Sequence, residues 1–244
     1  AYGLLDALRA AHPSVEIESC SSGGARVDLG ILERTDRVWA SDCNDALERQ
    51  TIQRWTGAVL PPELVGSHVG PTRSHTTGRV HSVTFRTIAA LFGHFGIEWD
   101  MRHASEHDRE TLAEGVALYK RHRGLIHSGV AVHADLPDPA YSLYGTVNSD
   151  RSEAIFAFVS VATSSQESPG RICLPGLDAD TSYEVQVVYP TGDGSYLQRG
   201  NVGWIPAGVT TSGVVLAEVG IVMPIIGPEQ GIVIHVRQSG MLAP

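Results

Sequence analysis

Cysteine is scarce in this chain and does not pair by pattern. Cys20, Cys43 and Cys173 are the three present, widely spaced and without a CxxC motif. That excludes a disulfide framework and a zinc knuckle, and makes a reducing, cytoplasmic setting the simplest expectation. No apolar run is long enough to cross a bilayer, and no signal-peptide pattern opens the sequence. The charge run in Tyr119-Lys-Arg-His-Arg123 reads as a solvated helix face, and the formal net charge of -9 argues against a nucleic-acid surface and fits a neutral substrate. Internal repeats at fixed period and low-complexity tracts are also missing. Histidine is not scarce, at eleven, but His68, His75 and His81 lack HExxH spacing or a recognised carboxylate partner, so no metal site is expected.

What remains is an ordinary globular composition, 42% hydrophobic and 18% charged over 244 residues, enough for one large domain or two modest ones. Leu4, Leu5 and Leu8 share one helical face before Pro13. Strands are expected at Val15–Glu18, Arg37–Ala40, Glu63–Val69 and Gly96–Asp100. Between them stand a short turn at Leu29–Arg34 and helices at Ala46–Leu60 and around Val83–Phe92. The apolar side of the Ala46 helix is read as Leu47, Ile52, Trp55 and Val59. Ser105 with Asp108 marks the start of a further helix running to about Leu125.

Residues 1–127 therefore alternate helix and strand as four β/α units, half of an eight-stranded barrel. A free half-barrel exposes strand edges, which proteins avoid, so a preceding half is expected. After Gly129 the texture turns to short β-rich runs at Tyr141–Thr146, Glu153–Val161, Arg171–Leu174, Tyr183–Tyr189, Val214–Glu218 and Gly231–Val236. Turns such as Ser164-Ser165 and Thr191-Gly-Asp-Gly194 separate them, and Gly192–Gly213 resists assignment. Residues 128–244 thus read as an antiparallel sandwich or Greek-key domain.

Two of the strands stop abruptly at polar clusters. Val15 and Ile17 lead into Cys20, Ser21, Ser22, Gly23 and Gly24; Val38 and Trp39 lead into Ser41, Asp42, Cys43, Asn44 and Asp45. In parallel α/β barrels the chemistry lies at strand C-termini. Asp42, after two apolar residues, sits where partial desolvation suits a general acid. As a cap for the Ala46 helix it is equally reasonable. Cys20 reads first as a small core residue, whereas the paired glycines let backbone approach a ligand. Arg26 is placed either at the pocket or against Asp28. His68 is a pocket-lining candidate, Trp99 a core residue or pocket wall, and Asp100 a strand-end carboxylate.

Taken together, Glu18-Ser-Cys20-Ser-Ser-Gly23-Gly24 and Ser41-Asp42-Cys43-Asn44-Asp45-Ala46 resemble the C-terminal catalytic half of a family 36 glycoside hydrolase, the microbial α-galactosidases. The resemblance implies that Asp42 is the catalytic acid/base and that Asp45 keeps the capping role. It implies that Cys20 and Gly23 contact galactose, with Ser22 as a weaker contact. It also implies a retaining mechanism on α-galactoside oligosaccharides, no cofactor or metal, no nucleic-acid or membrane partner, and room for a homo-oligomer in the intact enzyme. The nucleophile belongs to a strand before Ala1, so this chain alone is expected to be inert. Cys43 and Asn44 depart from the Asn-Thr most common in the family. An α-N-acetylgalactosaminidase or a galactosyl transferase is therefore the enzymatic alternative. A non-catalytic carbohydrate-binding fragment is the other, although residues 130–244 hold a single Trp, Trp204.

Overall fold

The computed structural model describes residues 1–23, 26–191, 196–198 and 202–240. Gly24 and the Gly192–Gly194 turn, both singled out in the sequence, lie outside the described residues.

The first half alternates α1 (Tyr2–Ala11), β1 (Glu18–Ser19), α2 (Leu29–Leu32), β2 (Arg37–Trp39), α3 (Ala46–Gly57), β3 (Val65–Val69), α4 (Val83–Ala90), β4 (His94–Ile97) and α5 (Glu106–Ser128). Its strands form one four-stranded sheet in the order β1-β2-β3-β4, parallel at every pairing. Helix starts follow the side chains that satisfy free N–H groups. Asp28, Asp45 and Ser82 cap α2, α3 and α4, and Ser105 with Asp108 forms a full capping box on α5.

Several elements differ from the sequence expectation. Only Glu18 and Ser19 pair in the first strand, and Val15 is half exposed. Pro62–Leu64 forms a 3-10 turn, so β3 starts at Val65. β4 ends at Ile97, and Glu98, Trp99 and Asp100 lie beyond it. α3 ends at Gly57, short of Val59; Trp55 and Val59 are exposed, and the buried positions on the helix are Ala46 and Arg49.

The second half comprises β5 (Val130–Ala134), β6 (Tyr141–Val147), β7 (Glu153–Ser160), β8 (Arg171–Ile172), β9 (Ser182–Tyr189), β10 (Val209–Ser212), β11 (Ile221–Val222) and β12 (Gln230–Gln238). Six of these form an antiparallel sheet, β10-β9-β12-β7-β6-β5, and β11-β8 form a two-stranded ribbon. Val214–Glu218 is not a strand: Val215–Val219 makes a π-helical turn, ended at Gly220 with φ of 72°.

Both faces of the large sheet are covered. Phe156, Phe158, Ile232 and Ile234 pack with Ile172, Leu174, Leu216 and Ile221 on the ribbon side. Ile155, Ala157, Val159 and Val233 pack on Phe85, Ile88, Leu118 and Ile126 of α4 and α5. Each of these Val, Leu, Ile and Phe side chains contributes about 1.5–3 kcal/mol by leaving water. A register shift between Val233 and Ile234 lets β9 cross over: Val187 faces the ribbon, while Val188 and Tyr189 join the helix side. Helices α4 and α5 and the large sheet therefore share one continuous core.

Candidate active site

β1 and β2 are neighbours, so the chain leaving Ser19 and the chain leaving Trp39 emerge side by side. This brings Cys20 and Asp42 together, with Cys20 Sγ 3.8 Å from Asp42 Oδ1. The same carboxylate oxygen accepts the indole N–H of Trp39 at 3.1 Å. Gly23, at φ of 66°, lies against the Asp42 backbone so closely that a Cβ there would fall 2.7 Å from Asp42 N. Only glycine meets both conditions without strain. Ser22, also at positive φ, is exposed in this turn. The structure thus gathers Asp42, Cys20 and Gly23 at one point, with Ser22 beside them. Both Asp42 and Cys20 are exposed, which departs from a partly desolvated acid and from a core cysteine.

The cap on α3 is Asp45, not Asp42. Asp45 accepts from Leu47 N at 2.9 Å and Glu48 N at 3.2 Å, and its side chain is fully buried. It also accepts from the Thr77 hydroxyl, and from Arg79 Nη1 at 3.2 Å. Burial pushes its carboxyl up. The Thr77 hydroxyl, the two backbone N–H groups and Arg79 together outweigh this and hold it below the usual range.

Arg49, which sequence reasoning missed, fixes the loop from beneath. It is buried, and it donates to Ser41 O at 2.5 Å and Cys43 O at 2.6 Å, the carbonyls on either side of Asp42. Its guanidinium lies 4.1 Å from the Trp39 ring centroid, and burial lowers its pKa to about 10. The expected apolar side of this helix, Leu47, Ile52, Trp55 and Val59, gives no signal for it. His68 stacks on Trp39 with ring centroids 4.3 Å apart, and its Nδ1 stands 3.5 Å from Glu98 Oε2. Trp39 is therefore the hub of the site.

Other candidates are used elsewhere. Trp99 joins the Val69–Leu112 cluster with Arg86 over its ring, as a core residue would. Asp100 caps the 3-10 turn Met101–His103 and binds Arg102. Asp28 caps α2 and accepts the Tyr2 hydroxyl, and Arg26 is exposed. His81 is buried near Glu229, whereas His75 is exposed.

Two family models match the chain: Melibiase over residues 1–129 and the glycosyl hydrolase family 36 C-terminal domain over residues 141–236. The chain is 42% identical over 243 residues to an α-galactosidase of Escherichia coli, covering 98% of this chain and 34% of that protein. It is 33% identical over 186 residues to α-galactosidase AgaA of Geobacillus stearothermophilus, covering 76% and 26%. A variant of AgaA solved in complex with raffinose superposes with a TM-score of 0.82 at 28% identity, covering 97% of this chain and 30% of that one. The Lactobacillus brevis α-galactosidase gives a TM-score of 0.84 at 27% identity, covering 99% and 31%. The chain spans between about a quarter and a third of the length of these relatives. Matched in both halves by the family's models, the chain belongs to glycoside hydrolase family 36.

Proposed function

We propose that this chain supplies the acid/base part of a retaining α-galactosidase, as the C-terminal half of a (β/α)8 barrel with its β-domain. The observation that carries the reading is the Asp42 carboxylate, held by the Trp39 N–H at 3.1 Å beside Cys20, at the ends of adjacent parallel strands. In the first step Asp42 donates its proton to the glycosidic oxygen while a second carboxylate attacks the anomeric carbon. In the second step Asp42 takes a proton from water, which releases galactose from the enzyme. Cys20, Gly23 and Ser22 line the sugar pocket. Relatives bound to raffinose and stachyose favour α-galactosyl oligosaccharides as substrates.

The second carboxylate must stand about 5–5.5 Å from the first. Asp28 and Asp100 are engaged as caps with Tyr2 and Arg102, and Asp45 is buried under Arg79. Their engagement supports a nucleophile contributed from outside this chain. The exposed apolar residues Leu4, Leu8 and Leu29 support further packing in a complete barrel.

The two departures from the family pattern contact the loop after β3: Cys43 Sγ is 3.3 Å from Thr76 Oγ1, and Asn44 Oδ1 accepts from Ser74 at 3.0 Å. Trp204 is buried and donates to Val222 O at 2.7 Å, which counts against an aromatic sugar platform in the β-domain. All three cysteines are free, which fits a reducing compartment.

The reading is tested with the folded 244-residue chain and an aryl α-galactoside. No protein-dependent galactose release is expected from it alone, and release is expected when the strand bearing the nucleophile is restored. Turnover by the chain alone would overturn the assignment.

A further inference from the structure

Three residues remote in sequence converge where α5 lies on the large sheet. His235 pairs with Ile155 and Arg237 with Glu153, so Glu153 and His235 are diagonal neighbours on the sheet face that carries Ile155 and Val233. His122 reaches them from the buried side of α5. Glu153 Oε1 lies 2.7 Å from His235 Nε2 and 3.4 Å from His122 Nδ1. The three donor atoms all lie within 4.8 Å of one another.

The two imidazoles are tilted at 51° with centroids 4.7 Å apart, so they converge on one point and do not stack face to face. Arg237, the cation registered opposite Glu153, is drawn to Glu184 at 2.7 Å and leaves Glu153 to the histidines.

We propose that His122, Glu153 and His235 form a binding site for a divalent transition-metal ion of the zinc class, fastening α5 to the β-domain. Two imidazole nitrogens and one carboxylate oxygen suit zinc, and with bonds of 2.0–2.2 Å a tetrahedral ion sets its donors roughly 3.3 Å apart. The two carboxylate–imidazole separations, 2.7 and 3.4 Å, lie close to that spacing, and the two imidazole nitrogens lie within 4.8 Å of each other. His122 is 3% and His235 13% exposed, while Glu153 at 27% leaves an approach for the ion and a solvent ligand.

The test strips the purified protein with chelator and titrates Zn²⁺, reading stoichiometry by elemental analysis, affinity by calorimetry and melting temperature. One zinc per chain and a raised melting temperature are expected, since an ion that binds only the folded state stabilises it. His235→Ala should weaken binding by more than the about 10- to 100-fold typical of outer-shell changes. Glu153→Gln, which keeps the side chain's shape, should do the same if only the anion is lost. His75→Ala, an exposed histidine outside the cluster, should leave binding unchanged. The visible absorption of a Co²⁺-loaded sample should vanish in the first two variants alone. Absence of a tight zinc, or zinc binding that persists in both His235→Ala and Glu153→Gln, overturns the site.

Discussion

The indole N–H of Trp39 donates to Asp42 Oδ1 at 3.1 Å, from a ring that His68 stacks on and the Arg49 guanidinium approaches. A buried strand residue thus aims an exposed carboxylate. Trp39 is anchored by packing, and the loop bearing Asp42 is anchored by Arg49 through Ser41 O and Cys43 O. Orientation of the Asp42 carboxylate is built into the end of β2.

Trp39→Phe isolates that hydrogen bond, because the aromatic packing survives and the donor does not. A hydrogen bond to a charged group contributes about 1.5–3 kcal/mol. In the complete enzyme kcat/KM on an oligosaccharide should fall about 10- to 100-fold. Steady-state kinetics with circular dichroism as a folding control will check this. An unchanged kcat/KM would detach Trp39 from the chemistry.

Gly23→Ala places a methyl group where Asp42 N is 2.7 Å away, at φ of 66°. Left-handed backbone costs a non-glycine residue about 1–2 kcal/mol, and the clash must also displace the Asp42 loop. Modest destabilisation is expected alongside a disproportionate loss of turnover. The comparison is between thermal melts and kcat on the same samples.

Asp45→Ala removes a cap, while its exposed partners Thr77 and Arg79 turn to water and Arg79 keeps Glu48 at 2.7 Å. Cap loss costs about 0.5–2 kcal/mol, and a loss in that range is expected in denaturant titrations. The effect depends on pH. Folding lowers the Asp45 pKa from its unfolded value of about 3.9, so the unfolded state binds more protons in acid. The contribution is fully present above about pH 4 and is lost as pH falls through the folded value. Wild type and Asp45→Ala should therefore converge in stability in acid, and a gap that stays constant down to strong acid would count against the ionised cap.

Much of this was legible in the sequence because local physics decided it. Ser105 with Asp108 reads directly as a helix start, and the abrupt polar ends of β1 and β2 mark the candidate site; at α3 the local pattern allows Asp42 as the cap, and it is the family resemblance that assigns the role to Asp45. Elsewhere tertiary packing prevailed over pattern. Val214–Glu218 has strand composition, yet Leu216 must enter the core beside Leu174, and a π-helical turn delivers it. β5 and β10 escaped notice because their half-exposed sequences carry weak periodicity. Trp55 and Val59 were read as buried although α3 turns Ala46 and Arg49 inward. The His122–Glu153–His235 cluster depends on contacts between distant segments, to which no local motif corresponds, and Arg49 reaches back only to Ser41 and Cys43 but through a loop whose path no pattern specifies.

The central claim is that Asp42 is the proton donor, and the most direct measurement is the leaving-group dependence of Asp42→Ala in the complete enzyme. General acid catalysis supplies about 10²- to 10⁴-fold, and only a poor leaving group needs it in the first step. A loss in that range is expected on raffinose or another natural galactoside. A clearly smaller loss in the galactosylation step is expected on an activated aryl galactoside. If Asp42→Ala and wild type hydrolyse the natural galactoside at similar rates, the acid/base assignment is wrong.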